Sequence, residues 1–180
     1  MIGFRARIAV VALTLLFTTG TAAAQAAPVT HSRPVTGGSG WVPAPSEPSD
    51  RAAGVLCDFA IHTDPIVDEV MKKTLSTNPD GSPRSELYVG RLVIRVTNVE
   101  SGAYYDADAS GDAVFVYAPD GTVTWYAVGP TLVGFREGAG NLPRGFYVLD
   151  GVYRLVFAPD GHKTLTTVHG TQDDVCQRID

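Results

Sequence analysis

One tripeptide, Pro-Asp-Gly, constrains the fold of this chain more than any other feature. It occurs in "NPDGSP" (Asn78–Pro83), in "YAPDGTVTWYAVG" (Tyr117–Gly129) and in "FAPDGHKTLTTVHG" (Phe157–Gly170). Proline presets the φ required at the second position of a type I turn, and aspartate suits the third. Glycine then takes positive φ without steric cost. The flanks of two copies alternate in the manner of strands: "AVFVYA" and "TVTWYAV" around Pro119, "VYRLVFA" and "KTLTTV" around Pro159. Each copy is therefore read as a hairpin with a bulge glycine, at Gly121 and Gly161. "LDGV" (Leu149–Val152) carries a further hairpin signal of the tight Asp-Gly kind. The copies recur about every forty residues, but three repeats fall short of the roughly four blades of a propeller, and the first copy's flanks do not match the others.

The same alternation marks strands at "GVLCDFAIH" (54–62), "ELYVGRLVIRVTNV" (86–99) and "AYYDADA" (103–109). "TWYAVGPTLVGF" is interrupted by Gly129-Pro130, which implies a bulge or bend. Phe115, Tyr117, Val123, Trp125, Phe146, Tyr153, Leu155 and Phe157 recur at alternating positions and supply a core. "DPIVDEVMKKTL" (64–75) is different: Asp64-Pro65 at a start position, acids early and lysines late are helix chemistry. The fold expected is all-β, an antiparallel meander of about 8–9 strands, a β-barrel ahead of a sandwich, closed by one disulfide.

The N-terminus has the order of a secretory signal peptide. Arg5 and Arg7 precede the apolar run "IAVVALTLLF", and Ala24-Gln25-Ala26 fits a cleavage site, so residues 1–26 are assigned to it. The run is about half the roughly 20 residues that span a bilayer, no cysteine follows it for lipid attachment, and the C-terminus has no apolar tail. Secretion with no membrane span after cleavage is expected. Residues 27–53 are rich in Pro, Ser and Gly and read as a disordered leader, with Trp41 either exposed or an anchor. Residues 54–180 form a single β domain. Without Arg5 and Arg7 the 14 basic side chains become 12 against 19 acidic ones, a net charge of −7, and no basic run remains to bind nucleic acid.

Cys57 and Cys176 are the two cysteines. An even count in an exported chain favours a disulfide over a metal site or a free thiol, here closing a loop of roughly 120 residues.

"LCDFAI", "VTNVESG" (Val96–Gly102), "SGD" (Ser110–Asp112), "LPRGFYVLDG" (Leu142–Gly151) and "HGTQDDVC" (His169–Cys176) occur in that order. In this the chain resembles a group of small exported proteins of high-GC Gram-positive bacteria. The resemblance extends over nearly all of residues 54–178. It implies secretion and an all-β fold, hence a strand rather than a helix at 64–75, and it implies no activity or ligand.

Chemistry is sparse. "DADASGD" (Asp106–Asp112) resembles the opening of a calcium loop, in which Asp106, Asp108 and Ser110 would supply oxygens, but Tyr117 stands where the twelfth-place glutamate belongs. Otherwise no metal site and no cofactor motif is present, nor a nucleophile elbow. His169 shares strand parity with Leu165 and Thr167 and is the histidine best placed to bind or to transfer a proton. The expectation is a non-catalytic binding module for a small apolar ligand or an envelope component, with Trp125, Tyr126, Tyr153, Phe157 and His169 as ligand-binding candidates. The alternatives are a protein–protein interaction module and an extracellular hydrolase using His169.

Overall fold

The computed structural model describes residues 40–180. The signal peptide and residues 27–39 of the leader lie outside the described residues. Twelve strands follow in order: β1 (Trp41–Pro43), β2 (Ser49–Arg51), β3 (Ile61–Asp68), β4 (Met71–Thr77), β5 (Pro83–Val89), β6 (Leu92–Asn98), β7 (Tyr104–Asp108), β8 (Asp112–Tyr117), β9 (Val123–Val128), β10 (Thr131–Phe135), β11 (Gly145–Phe157) and β12 (Lys163–Asp174). A 3-10 turn, Val175–Arg178, follows β12. All ladders are antiparallel.

The Pro-Asp-Gly copies are turns. In the second, the Gly121 N–H donates to the Ala118 carbonyl at 3.0 Å and the Ala118 N–H to the Thr122 carbonyl at 2.9 Å. Gly81, Gly121 and Gly161 have φ of +85°, +86° and +87°, the bulge position after a type I turn. Two of these turns join β8 to β9 and β11 to β12, as the flanking alternation requires.

Most of the meander consists of long antiparallel arms broken near their middles. The breaks fall between β3 and β4, β5 and β6, β7 and β8, and β9 and β10, then at Gly151 within β11 and Gly170 within β12. Neighbouring breaks are joined by backbone hydrogen bonds, Glu69 to Arg91, Gly111 to Pro130 and Gly129 to Gly151, so they form one crease across the meander. An eight-stranded sheet continues through the crease along β11 and β12 and so takes in β10; β2, β3, β6 and β7 make a four-stranded sheet. Neither sheet closes on itself. β1 and β12 remain edges, and β10 approaches β7 without a ladder between them, so the expected barrel is corrected to an open, creased meander. The crease also divides arms in two, which is why there are twelve strands rather than eight or nine.

Local readings change for physical reasons. "LDGV" is no hairpin: β11 runs through Asp150 and Gly151, which mark the crease. Residues 64–75 are not a helix but the β3–β4 arm, because pairing with β6 and β5 outweighs local helix chemistry. Pro65 is tolerated since it lies beyond the stretch of β3 that β2 pairs. Residues 54–60 precede β3 as turns rather than as its first half, yet they bury Leu56, Cys57 and Phe59. The expected leader also ends earlier: Trp41–Pro43 pairs with β4 and Ser49–Arg51 with β3, so the folded unit includes residues assigned to the disordered segment.

The core has two parts on opposite faces of β10 and the first half of β11. Val133, Phe135, Tyr147 and Leu149 face Tyr153, Leu155 and Leu165 across the fold of the crease. Leu132, Phe146 and Val148 face Leu56, Ile61, Val96 and Ala107. Phe146 thus turns away from Tyr153. Fully burying a side chain such as Phe135 or Leu155 contributes about 1.5–3 kcal/mol. The Cys57–Cys176 disulfide joins the second part to the terminal turn. Buried Asn98 donates to the Ile179 carbonyl at 3.0 Å nearby.

Candidate functional site

β5, β8, β9 and β11 carry Tyr88, Phe115, Trp125 and Phe157 on one face of the larger sheet. Phe115 is directly opposite Trp125, with ring centroids 4.4 Å apart and planes at 11°. Tyr88 stacks on Phe115 at 4.3 Å, and Phe157 packs against Trp125 at 4.5 Å with its plane tilted by 48°, each along a diagonal of the ladder. Such pairs add about 0.5–1.5 kcal/mol each beyond the area they bury. The row has a cation at either end: Lys72 Nζ stands 5.7 Å from the Tyr88 ring and Lys163 Nζ 5.7 Å from that of Phe157.

Beneath the crease this row walls a cavity of about 240 Å³. Tyr88, Phe115 and Trp125 form one side; Leu92, Ile94 and Leu132 form another. The small side chain of Ala113 leaves the room, whereas Gly111 is required by the close backbone of residues 128–130, where a Cβ would stand 2.6 Å from the Pro130 carbonyl oxygen. The space equals about eight waters at roughly 30 Å³ each. Its walls are mainly apolar, with hydroxyls from Ser46 and Thr131. Thr131 is hydrogen bonded to the buried Tyr153 hydroxyl, whose pKa burial pushes up to about 12. Among the described residues every buried side-chain nitrogen or oxygen has a partner, so no orphaned polar atom awaits a polar ligand.

A second group surrounds Glu86, a carboxylate only 3% exposed. The Tyr88 and Tyr117 hydroxyls donate to its Oε2 at 2.9 and 2.8 Å, and Lys72 Nζ lies 3.2 Å from its Oε1. Burial pushes its pKa up, but the hydrogen bonds from Tyr117, Tyr88 and Lys72 outweigh that and hold it below the ordinary glutamate value. Tyr117 is driven far above the usual tyrosine range, first by burial and then by these contacts. Glu86 and Tyr117 also line an open cleft of about 850 Å³ between the first two Pro-Asp-Gly turns. With its acceptor sites occupied and its charge retained, Glu86 is suited to holding strands together rather than to donating a proton.

The ligand-binding candidates separate. Trp125 lines the cavity, Phe157 supports its ring, and Tyr153 reaches the wall through Thr131. Tyr126 points to the opposite face, because successive residues of a strand alternate, and is 53% exposed. His169 is exposed on β12, away from the cavity walls. The calcium candidates do not converge: both Asp106 oxygens accept from Arg95, at 2.7 and 2.8 Å, while Asp108 accepts from the Ser110 N–H and Ser110 bonds the Leu92 backbone. Among the described residues no three metal-ligating side chains cluster. A histidine–carboxylate pair does exist, His62 Nδ1 to Asp50 Oδ1 at 2.7 Å, but both side chains are well exposed. Tyr88, Leu92, Ile94, Leu132 and Glu86 carry no mark of a site in the sequence. Each lies within a strand stretch, and only strand pairing across the crease brings them together.

Comparison with family models, with curated proteins and with solved structures finds no match for this chain.

Proposed function

We propose that this is a secreted, disulfide-clamped binding protein that takes a small apolar molecule, free or as the apolar part of an envelope component, into the cavity beneath the crease. The observation that carries the reading is that cavity, walled by Tyr88, Phe115 and Trp125 against Leu92, Ile94 and Leu132. Aromatic faces and aliphatic side chains reward apolar contact, and burying a ligand of this size gains roughly 25 cal/mol per Å² of apolar surface. Secretion rests on the N-terminal sequence; the disulfide is compatible with it, and among the described residues no helix is long and apolar enough to cross a membrane. A hydrolase would need a histidine and an acid in a cleft. His169 stands apart from the cavity, and the His62–Asp50 pair is open to solvent, so binding is the preferred reading.

Native mass spectrometry of protein purified from culture medium tests the proposal. A small-molecule adduct is expected, and Ala113→Leu, which fills the cavity, should abolish it without changing the circular-dichroism class. Wild-type protein free of adduct, with Trp125 emission unmoved by added apolar probes such as indole or naphthalene, would sink the reading. N-terminal sequencing of the same material should begin near Ala27; a sequence beginning at Met1 would sink the secretion claim.

A further inference from the structure

Four of the eleven lysines and arginines among the described residues of this acidic chain are in ion pairs: Lys72 with Glu86, Arg95 with Asp106, Arg144 with Asp58 and Arg178 with Asp173. Three that have no such partner among the described residues share one cleft. Arg51 closes β2, Arg136 follows β10 and Lys163 opens β12, and together they border a cavity of about 180 Å³. Val55, Leu56 and Phe146 give it an apolar back, and no carboxylate is among its walls. Asp50, next to Arg51, is turned to His62.

We propose that this cleft binds a small oxyanion, a phosphate or carboxylate group, through Arg51, Arg136 and Lys163. Lys163 is the pivotal residue. It is half-buried, its Nζ lies 5.7 Å from the centroids of both Phe135 and Phe157, and it donates to the Gly134 carbonyl. An ammonium has three donors, so two remain for a ligand. Burying a cation without a counter-ion is costly, and here two further cations stand nearby. Burial, and then repulsion from Arg136 and Arg51, accordingly holds the Lys163 pKa below the ordinary lysine value. A bound oxyanion removes both penalties. The guanidinium groups of Arg51 and Arg136 offer the forked donors that match phosphate or carboxylate oxygens. Ser49 and Thr63 also line the cleft, but their hydroxyl protons are engaged between themselves and the Ser49 carbonyl, which leaves the three cations as the donors. The space, about six waters at roughly 30 Å³ each, suits an oxyanion with little attached. The site is separate from the apolar cavity, so either assignment can fail without the other.

The test is an amide-resolved NMR titration of the protein with inorganic phosphate and, separately, acetate, at low ionic strength. Saturable shifts confined to Arg51, Gly134, Arg136, Lys163 and their neighbours are expected. The Arg51→Gln/Arg136→Gln variant, which changes two exposed side chains, should weaken binding roughly tenfold or more with an unchanged melting temperature. Co-sedimentation with phosphatidylglycerol vesicles that is lost in this variant would assign the oxyanion to a lipid headgroup; phosphate binding without vesicle binding would assign it to a free anion. Shifts that do not saturate, or equal affinity in the double variant, overturn the proposal.

Discussion

Gly151 and Gly170 face each other across the β11–β12 ladder so closely that neither position has room for a side chain. A Cβ on Gly170 would stand 2.1 Å from the Asp150 carbonyl oxygen, and one on Gly151 would stand 2.2 Å from that of His169. Their φ values, +143° and +136°, are also foreign to L side chains. The obstacles are backbone atoms on the partner strand, which cannot swing aside as a side-chain tip can. Gly170→Ala is therefore expected to cost on the order of 3 kcal/mol, combining backbone strain with overpacking. Urea denaturation measures this, and a loss under about 1 kcal/mol would mean the crease is not rigid.

Glu86 links β5 to β4 through Lys72 and to β8 through Tyr117. Its pKa is lowered in the folded protein, so its contribution is complete above the unfolded value of about 4.3 and disappears as pH falls through the lower folded value. Glu86→Gln keeps the shape but removes the charge facing Lys72, and a loss of about 2–3 kcal/mol at neutral pH is expected. The wild-type advantage over this variant should shrink steadily below about pH 4.3. Asp80, Asp106 and Asp120 also have lowered pKa values, so both proteins keep some acid sensitivity, and the difference between their melting curves is the informative quantity. A difference that stays constant down to pH 2 would contradict this account.

What could be seen in the sequence was what is decided locally. Pro119-Asp120-Gly121 and Pro159-Asp160-Gly161 specify their own turns, and the alternation beside them specifies the strands they join. Gly151 carried the same Asp-Gly signal yet lies inside a strand, because its glycine is required by the approach of Gly170 and not by a turn. Asp64 to Leu75 likewise satisfies helix rules, and only its ladders to β5 and β6 make it extended. Alternation already implies that Trp125 and Tyr126 occupy opposite faces. Which face holds the cavity depends on Leu92, Ile94 and Leu132 arriving from beyond the crease. Glu86 gave no local signal at all; its partners are distant in sequence except Tyr88.

The Cys57–Cys176 bridge spans a sequence separation of 119 and ties the irregular 54–60 segment to the terminal turn. Closing a loop of that length stabilises chiefly by restricting the unfolded chain, and a loss of roughly 2–4 kcal/mol is expected for Cys176→Ser. Both cysteines pack with the second core cluster, which retains Leu56, Phe59, Val175 and Ile179, so the circular-dichroism class should persist while the melting temperature falls. Non-reducing peptide mapping should join the two cysteine peptides in wild-type protein. A free thiol at either position would contradict the assignment.

Gly161 separates turn chemistry from crowding. Its φ is +87°, as in the other Pro-Asp-Gly turns, but a Cβ there would meet nothing within 4 Å. Alanine at this position is thus penalised by backbone conformation alone, about 1 kcal/mol. Asparagine tolerates the left-handed region better and should lose less. The order expected in thermal melts is wild type, then Gly161→Asn, then Gly161→Ala, with Gly170→Ala well below all three. The turn itself is held by the Gly161 N–H to the Ala158 carbonyl at 2.9 Å and by Asp160 accepting from the His162 N–H at 2.9 Å, neither of which needs a ligand. Equal and negligible losses for the two Gly161 variants would show that the positive φ is not needed, and the reading of all three turns would fall with it.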